Sequence, residues 1–563
     1  MIIILASWIF ILVNCYLFGF AINQFIFKQK AMSVTIILGI IAITFLANIA
    51  SFMGPLDRSF LIDITIMSGF YLLIYWKEIK LQLLLFKKEF LLLKNIVLLI
   101  LSAVLFAAYS SGYSNINDDG LYYTQTIMWL REYGLVHGIS NLHLSLGLSS
   151  SWHVFQAVFS FSNTINLNDV NGFLMFVFTL FIMEKSTNKN INYLLYLQYF
   201  LVLIISIPFY SAPNPDFAII VFTAIAIQLF LTSKNRAHYP IILLIAIFCF
   251  SIKISAIAVS VLSLFVLYNL IKHESFKLQS KLYILLFLML AIQISKNIYQ
   301  TSYPLYPYKI LSVNTDWKTP EAVVNYFTNG VKTWSYSDKY KPNEVKEIKD
   351  IGTLQLITSL LFRTGTKGLI NKVIFASFLL SILLVSYLWF KHKINKHTII
   401  LQAVIGISLI IWFAFAPQYR FAMPMLIYYL AFIMYLIYYY FLRNYFKINL
   451  YRVHVTVITV LFIPTIIGLN LSGNETSKQI GQFEKLSPSQ IIFPKDKYSF
   501  AKIDTITVNN SPFYHVNGNT YCWNSPLPCM SKGYEKIIFD HFKYRISLRG
   551  NSLNEGFKFI YYQ

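Results

Sequence analysis

The chain reads as an all-α polytopic membrane protein. An external helical loop and a small C-terminal extracytoplasmic domain, α/β or β-rich, complete it. Three observations predict this. Of 563 residues, 57% are hydrophobic and only 12% charged, against about 25% charged in soluble domains. The mean hydropathy is +0.59. Apolar runs long enough to cross a bilayer recur, beginning with Ile2 to Gly19, Val34 to Phe52, Phe60 to Trp76 and Asn95 to Tyr109. Continued to the end, the pattern gives about 14 spans.

A formal charge of +22 would suit a nucleic-acid partner, but its distribution argues for a membrane orientation signal instead. The basic residues form no single patch. They sit in short clusters between spans, as the positive-inside rule expects. Met1 to Phe20 lacks a basic leader and a small-residue cleavage site, so it is expected to stay as the first span.

Lysines 28 and 30 place the first loop inside, and the cluster Lys77, Lys80, Lys87, Lys88 and Lys94 does the same before the fourth span. That fourth span then delivers Asp118 and Asp119 to the outside. The alternation divides the chain into N-terminal spans (1–110), an external loop with an acidic pair (111–165), spans (166–298), a second external loop (299–366), spans (367–469) and an extracytoplasmic tail (470–563). The apolar run from Tyr239 to Asn269 is too long for one helix and is interrupted at Lys253, which predicts two short helices meeting at the outer face.

Two stretches read as non-membrane. In the loop after Ile298, Thr319-Pro320-Glu321 signals a helix start and Asn329-Gly330 its close, with a second helix from Asn343. In the tail, strands are expected over Ile503–Val508, Thr520–Trp523 and Phe557–Tyr562, with Asn517-Gly518 as a turn. Cys522 and Cys529 flank Pro526 and Pro528 on the outside, where disulfides persist, and are expected to pair. Cys15 and Cys249 fall inside spans as packing residues.

The stretch Tyr113 to Trp152 gathers the most groups able to do chemistry. Asp118 and Asp119 open a helical pattern that ends near Gly134 and carries Tyr122, Met128, Trp129 and Tyr133, residues suited to a membrane surface. One aspartate can cap the helix; capping does not need the second. An ionised carboxylate there could serve as a general base or as a ligand for a divalent cation, Mg²⁺ or Mn²⁺. Lys253 either snorkels to the interface or meets a phosphate. Arg420 is either an interfacial anchor or a bidentate phosphate contact. Asp216 can cap the span that follows it. His137, His143 and His153 lack a zinc spacing.

An acidic pair in an external loop, opening an amphipathic helix, resembles the GT-C superfamily of integral membrane glycosyltransferases. The pieces APNPD (Ala212 to Asp216), IKISA (Ile252 to Ala256), SYPLYP (Ser302 to Pro307), DWKTP (Asp316 to Pro320), APQYRF (Ala416 to Phe421) and CWNSPLPC (Cys522 to Cys529) look like one bacterial branch of polytopic membrane proteins. The resemblance implies a transferase at the outer face of the bacterial cytoplasmic membrane. It would move a sugar from a polyprenyl-phosphate-linked donor to a glycan, lipid or protein acceptor. The resemblance makes Asp118 or Asp119 the catalytic base, with Lys253 and Arg420 neutralising the donor phosphate. His143, Trp152, Asp216 and Tyr306, which fall on or just below the same external side, complete the expected substrate-binding set. Because the pair follows the fourth span rather than the first, an added N-terminal three-helix unit is implied. The alternatives are an envelope-polysaccharide polymerase or ligase relying on Arg420, and a glycolipid transporter or flippase. Polar residues collected at one face weigh against transport, whose sites tend to lie near the midplane.

Overall fold

Where lipid replaces water, each backbone N–H and C=O has to find a partner within its own segment, so apolar runs become helices. A computed structural model describes residues 1–90, 92–112, 114, 116–160, 169–186, 193–233, 236–273, 276–336, 353–394, 396–415, 417–445, 448–467, 469–470, 482–483, 488–494, 503–508, 511–516 and 521–562. The first four runs become α1 (Ile2–Ile22), α2 (Met32–Ala50), α3 (Arg58–Ile74) with its continuation α4 (Trp76–Phe90), and α5 (Leu93–Ser110). Three helical units therefore precede α5, the helix that leads to the acidic pair. The α1–α2 pair packs backbone against backbone. A Cβ on Gly19 would lie 1.8 Å from the Thr35 carbonyl oxygen, and one on Gly39 1.6 Å from that of Cys15. Only glycine permits that approach.

The acidic turn leads into α6 (Thr124–Glu132), followed by the short α7 (Ile139–Leu142) and α8 (Ser151–Val158). The central bundle continues as α9 (Val170–Ser186), α10 (Tyr193–Ile205), α11 (Pro215–Leu231), α12 (Tyr239–Ile252), α13 (Ile257–His273) and α14 (Phe276–Thr301). Next come α15 (Glu321–Tyr336), α16 (Thr353–Leu361), α17 (Gly365–Phe390), α18 (Lys396–Phe415), α19 (Tyr419–Ile437) and α20 (Leu450–Ile467). As expected, α12 and α13 meet at a break that begins at Lys253.

The span count is corrected. Among the described residues 7 helices are long and apolar enough to cross a membrane, or up to 8 if α3 and α4, bent by 85°, form one span. α10 to α13 and most of α20 are apolar but shorter, at 10–17 residues. Apolar runs in the middle of the sequence have the hydropathy of full spans; much of their apolar surface instead packs on neighbouring helices, as the wholly buried Phe217, Val221 and Phe222 of α11 illustrate.

The helices have two distinct ends. At one, the basic segments gather: the Lys281 ammonium lies 3.9 Å from the Phe25 ring, Gln82 donates to the Lys30 carbonyl and Tyr451 donates to that of Lys94. At the other, α6, α7, the loop before α15 and the tail form one cap. Tyr122, Trp129, Val136 and Ile139 share an apolar cluster there with Phe513, Leu527, Ile546 and Phe557 of the tail. The N-terminal amine joins this end by donating to the Gln490 carbonyl.

α6 departs from expectation: its aromatic face is not left open but is sandwiched between bundle and tail. Trp129 is 1% exposed and meets Phe557 edge-on. α15 begins at Glu321 and runs through Asn329-Gly330 to Tyr336; the helix expected from Asn343 lies outside the described residues. In the tail, β1 (Leu469–Asn470) pairs with β2 (Gln482–Phe483), and α21 (Pro488–Ile492) follows. β3 (Ile503–Val508) pairs antiparallel with β4 (Ser511–Val516), and β4 pairs parallel with β5 (Cys529–Ser531). After α22 (Lys532–Phe542), β6 (Tyr544–Leu548) pairs with β7 (Phe557–Tyr561). The strand expected over Thr520–Trp523 is not formed at 521–523, and Asn517-Gly518 lies outside the described residues. Cys522 and Cys529 form the expected disulfide.

This two-ended arrangement can be tested in cells. Cysteines at the exposed cap positions Ser312, Ser489 and Asn551 should react with an impermeant thiol reagent in intact cells, and those at Lys88 and His392 only after lysis. Ser335 is buried and unsuitable as a reporter. Mixed labelling within either group would break the assignment of one end to each side.

Candidate active site

The cap end brings together charges from four distant parts of the chain. Asp118 stands just before a wide helical turn, Asp119–Tyr123, that feeds α6. Its side chain makes no capping hydrogen bond. Instead its Oδ2 accepts from the Arg420 guanidinium at 2.7 Å and from the Tyr123 hydroxyl at 3.4 Å. Arg420, in the first turn of α19, is oriented from behind: its Nε donates to Gln418 Oε1 at 2.8 Å, and Gln418 in turn donates to the Val331 carbonyl of α15.

A second ion pair lies alongside. Lys253 Nζ is 2.5 Å from Asp216 Oδ1. The break between α12 and α13 supplies the lysine, and the first turn of α11 supplies the aspartate. Asp216 does not cap its own helix: Asn214 Oδ1 does so, accepting from the Asp216 and Phe217 N–H groups. Phe421 joins the pairs, its ring 4.6 Å from the Lys253 ammonium and 5.2 Å from the Arg420 guanidinium. The four charges sum to zero, so each cation already has a carboxylate.

Beside this network opens a cleft of about 560 Å³, the solvent space at its mouth included. Lys253 is at its edge. Tyr122, Ser149, Ser150, His153, Gln293, Asn297 and Tyr306 are among its walls. The tail holds the acidic turn in place: the Trp523 N–H donates to the Gly120 carbonyl at 3.0 Å, and Gln125 donates to the carbonyls of Trp523 and Ser525. A Cβ on Gly120 would collide with the Trp523 indole at 2.4 Å.

The family comparison falls on these residues. A family model described as a domain of unknown function, DUF8201, matches residues 1–427. The chain belongs to the DUF8201 family. Asp118, Asp216, Lys253 and Arg420 all lie within the matched stretch; the disulfide loop that braces the acidic turn lies beyond it. No curated protein and no solved structure matches the chain.

The remaining candidates of this DUF8201 protein divide. Tyr306 lines the cleft, with its hydroxyl donating to the Leu144 carbonyl at 2.9 Å. Asp119 is wholly buried and accepts from the Thr124 hydroxyl at 2.9 Å. Trp152 is an internal packing residue: it is 0% exposed and donates from its indole to Asn171 Oδ1 at 2.7 Å. His143 packs against Tyr534 of α22 and is not among the residues lining the cleft. Among the described residues no three His, Cys, Asp or Glu side chains gather to hold a metal ion. Asp118 faces a guanidinium and Asp119 turns into the fold, an arrangement that does not suit a divalent cation between them.

Gln293, Lys296 and Asn297 lie outside the candidates that the sequence supplies. Lys296 is wholly buried and donates to Asn48 Oδ1 and Ser151 Oγ. The signal was present: polar residues at i, i+3 and i+4 in an otherwise apolar run mark one functional face.

His153 adds a pH dependence. It packs 4.7 Å from the Tyr123 ring. Burial pushes its pKa down to about 3, the Pro213 carbonyl opposing and the Lys253 and Lys296 charges reinforcing the shift. Its folded value lies below its unfolded value, so its contribution to stability is intact above pH about 6.5 and is lost as pH falls below that. Between pH about 7 and about 5 the melting temperature should therefore drop more steeply in the parent than in His153→Gln. Equal slopes would mean that the native imidazole takes up protons freely.

Proposed function

We propose that this protein is a membrane glycosyltransferase that moves a sugar from a polyprenyl-phosphate-linked donor to an envelope glycan, lipid or protein acceptor. The observation that carries the reading is the meeting of Asp118, Arg420, Asp216 and Lys253 on one end of an apolar bundle, beside a cleft and beneath a disulfide-bonded cap. A lipid-linked donor explains why such a site stands at the end of apolar helices: the prenyl chain stays in lipid while its phosphate reaches the charges. The disulfide in the cap favours an oxidising compartment and hence the extracytoplasmic side of a bacterial cytoplasmic membrane.

In this reading the acceptor hydroxyl attacks the anomeric carbon, the bond from that carbon to the phosphate oxygen breaks, and polyprenyl phosphate leaves. Asp118 takes the hydroxyl proton. It is the accessible member of the acidic pair, its side chain 25% exposed. The Arg420 fork has five N–H donors, more than Gln418 and Asp118 use, so it can meet the leaving phosphate while holding the base in place. Lys253 supplies a second positive charge from the cleft edge. No step is assigned to a metal ion. The test is transfer by purified protein in detergent from a panel of short-chain prenyl-phosphate sugars to a soluble acceptor. Product that depends on Asp118 supports the reading; no product with any donor overturns it.

A further inference from the structure

The cleft beside the charge network has a lining whose chemistry differs from that of the network. Of the residues that form it, Lys253 alone is a permanent cation and none is a carboxylate. Hydroxyl and amide groups come from Ser149, Ser150, Ser251, Gln293 and Asn297, and aromatic faces from Tyr122, Phe250 and Tyr306. Ser149 is 3% exposed, and its hydroxyl has no hydrogen-bond partner among the described residues. A buried hydroxyl left unsatisfied costs about 1–3 kcal/mol, which a ligand could relieve. Gln293 donates to Asn297 Oδ1 at 3.1 Å, and Asn297 donates to the Pro304 carbonyl at 2.8 Å. The amide wall is thereby held rigidly against the loop that carries Tyr306. The Tyr306 hydroxyl gives its proton to the Leu144 carbonyl, which leaves this residue its ring and an acceptor oxygen.

We propose that this cleft is the subsite for an uncharged, polyhydroxylated ring joined to a phosphate. The sugar would lie between the Tyr122 and Tyr306 faces, hydrogen-bonded by Ser149 and Gln293, with its phosphate at Lys253. Aromatic faces with neutral donors and acceptors suit a ring whose faces are apolar C–H and whose edges are hydroxyl. No carboxylate lines the wall itself; the nearest, Asp216, stands behind Lys253 in its ion pair. Asn297 acts as a positioning residue for Gln293. The proposal rests on the lipid-phosphate-sugar reading above and adds where the sugar sits and which side chains select it.

The test is binding rather than turnover. Full-length protein in lipid nanodiscs is titrated with a short-chain prenyl phosphate and with the same prenyl phosphate carrying glucose, galactose, mannose or N-acetylglucosamine. At least one sugar probe should bind about tenfold tighter or better than the sugarless probe. Ser149→Ala and Gln293→Leu should each remove most of that preference and leave the sugarless Kd unchanged, whereas Lys253→Met should weaken every probe. Monodisperse elution of each variant verifies its fold, and Ser149→Ala removes only one oxygen. A sugar preference that survives both Ser149→Ala and Gln293→Leu overturns the subsite. Equal binding of all probes by the parent also overturns it but leaves the phosphate contact standing. If no probe binds at all, the glycosyltransferase reading falls together with the subsite.

Discussion

Asp118→Asn is expected to lower glycosyl transfer by about 10²-fold or more, the usual worth of a general base, while the protein still folds. The substitution keeps size and shape and removes the charge. Asp118 makes no capping hydrogen bond, so the start of α6 does not depend on it. Its ion pair with Arg420 is partly exposed, 25% and 36% by side chain, and such pairs contribute only about 0–1 kcal/mol. Melting temperature should therefore move little while kcat collapses. Asp119→Asn provides the contrast. Asp119 is buried, and an amide oxygen can still accept the Thr124 hydrogen bond, so transfer should persist near the parental rate. The reverse pattern, with Asp119→Asn inactive and Asp118→Asn active, would move the base by one residue. If the double variant transfers sugar at the parental rate, the acidic-pair mechanism is wrong, and a polymerase or ligase that relies on Arg420 becomes the better reading.

Much of the architecture was legible because lipid leaves the backbone few choices. The first four runs and the break at Lys253 sit within a few residues of where composition alone places them. The basic segments really do gather at one end, and the acidic pair at the other. Strand β3 matches the alternation over Ile503–Val508. What composition could not supply is which apolar faces meet protein and which meet lipid. α11 and α12 have the hydropathy of spans but are short, and α6 has the aromatic pattern of an interfacial helix. Its Trp129 is covered by Phe557, more than four hundred residues away in the chain. The pairing of Asp118 with Arg420 is equally non-local, since no local pattern relates an aspartate before one helix to an arginine opening another. Trp152 stands among the substrate-binding candidates of the sequence. Its indole N–H is instead satisfied by Asn171 within the core, a partner visible only once the helices are packed.

Asp216→Asn should be among the most destabilising single changes in the bundle, at about 3–5 kcal/mol, because it leaves the Lys253 ammonium without its counter-charge in a largely buried setting. The exposures of the two side chains, 18% for Lys253 and 8% for Asp216, leave little water to take over. Lys253→Met should cost less. Its flexible apolar stem keeps the packing, and the abandoned Asp216 carboxylate still sits in the first turn of α11, where the helix dipole favours a negative charge. Combining the two removes both charges, and the double variant should melt closer to the parent than Asp216→Asn does, with a coupling energy well beyond additivity. Transfer activity separates the pair's two roles. If Lys253 only balances Asp216, the double variant regains transfer along with its stability. If Lys253 also meets the donor phosphate, the double variant is stable and still poorly active, with a raised donor KM. Melting of Asp216→Asn at the parental temperature would sink the buried-pair argument. A stable, fully active double variant would remove Lys253 from the donor site and leave Arg420 alone to receive the phosphate.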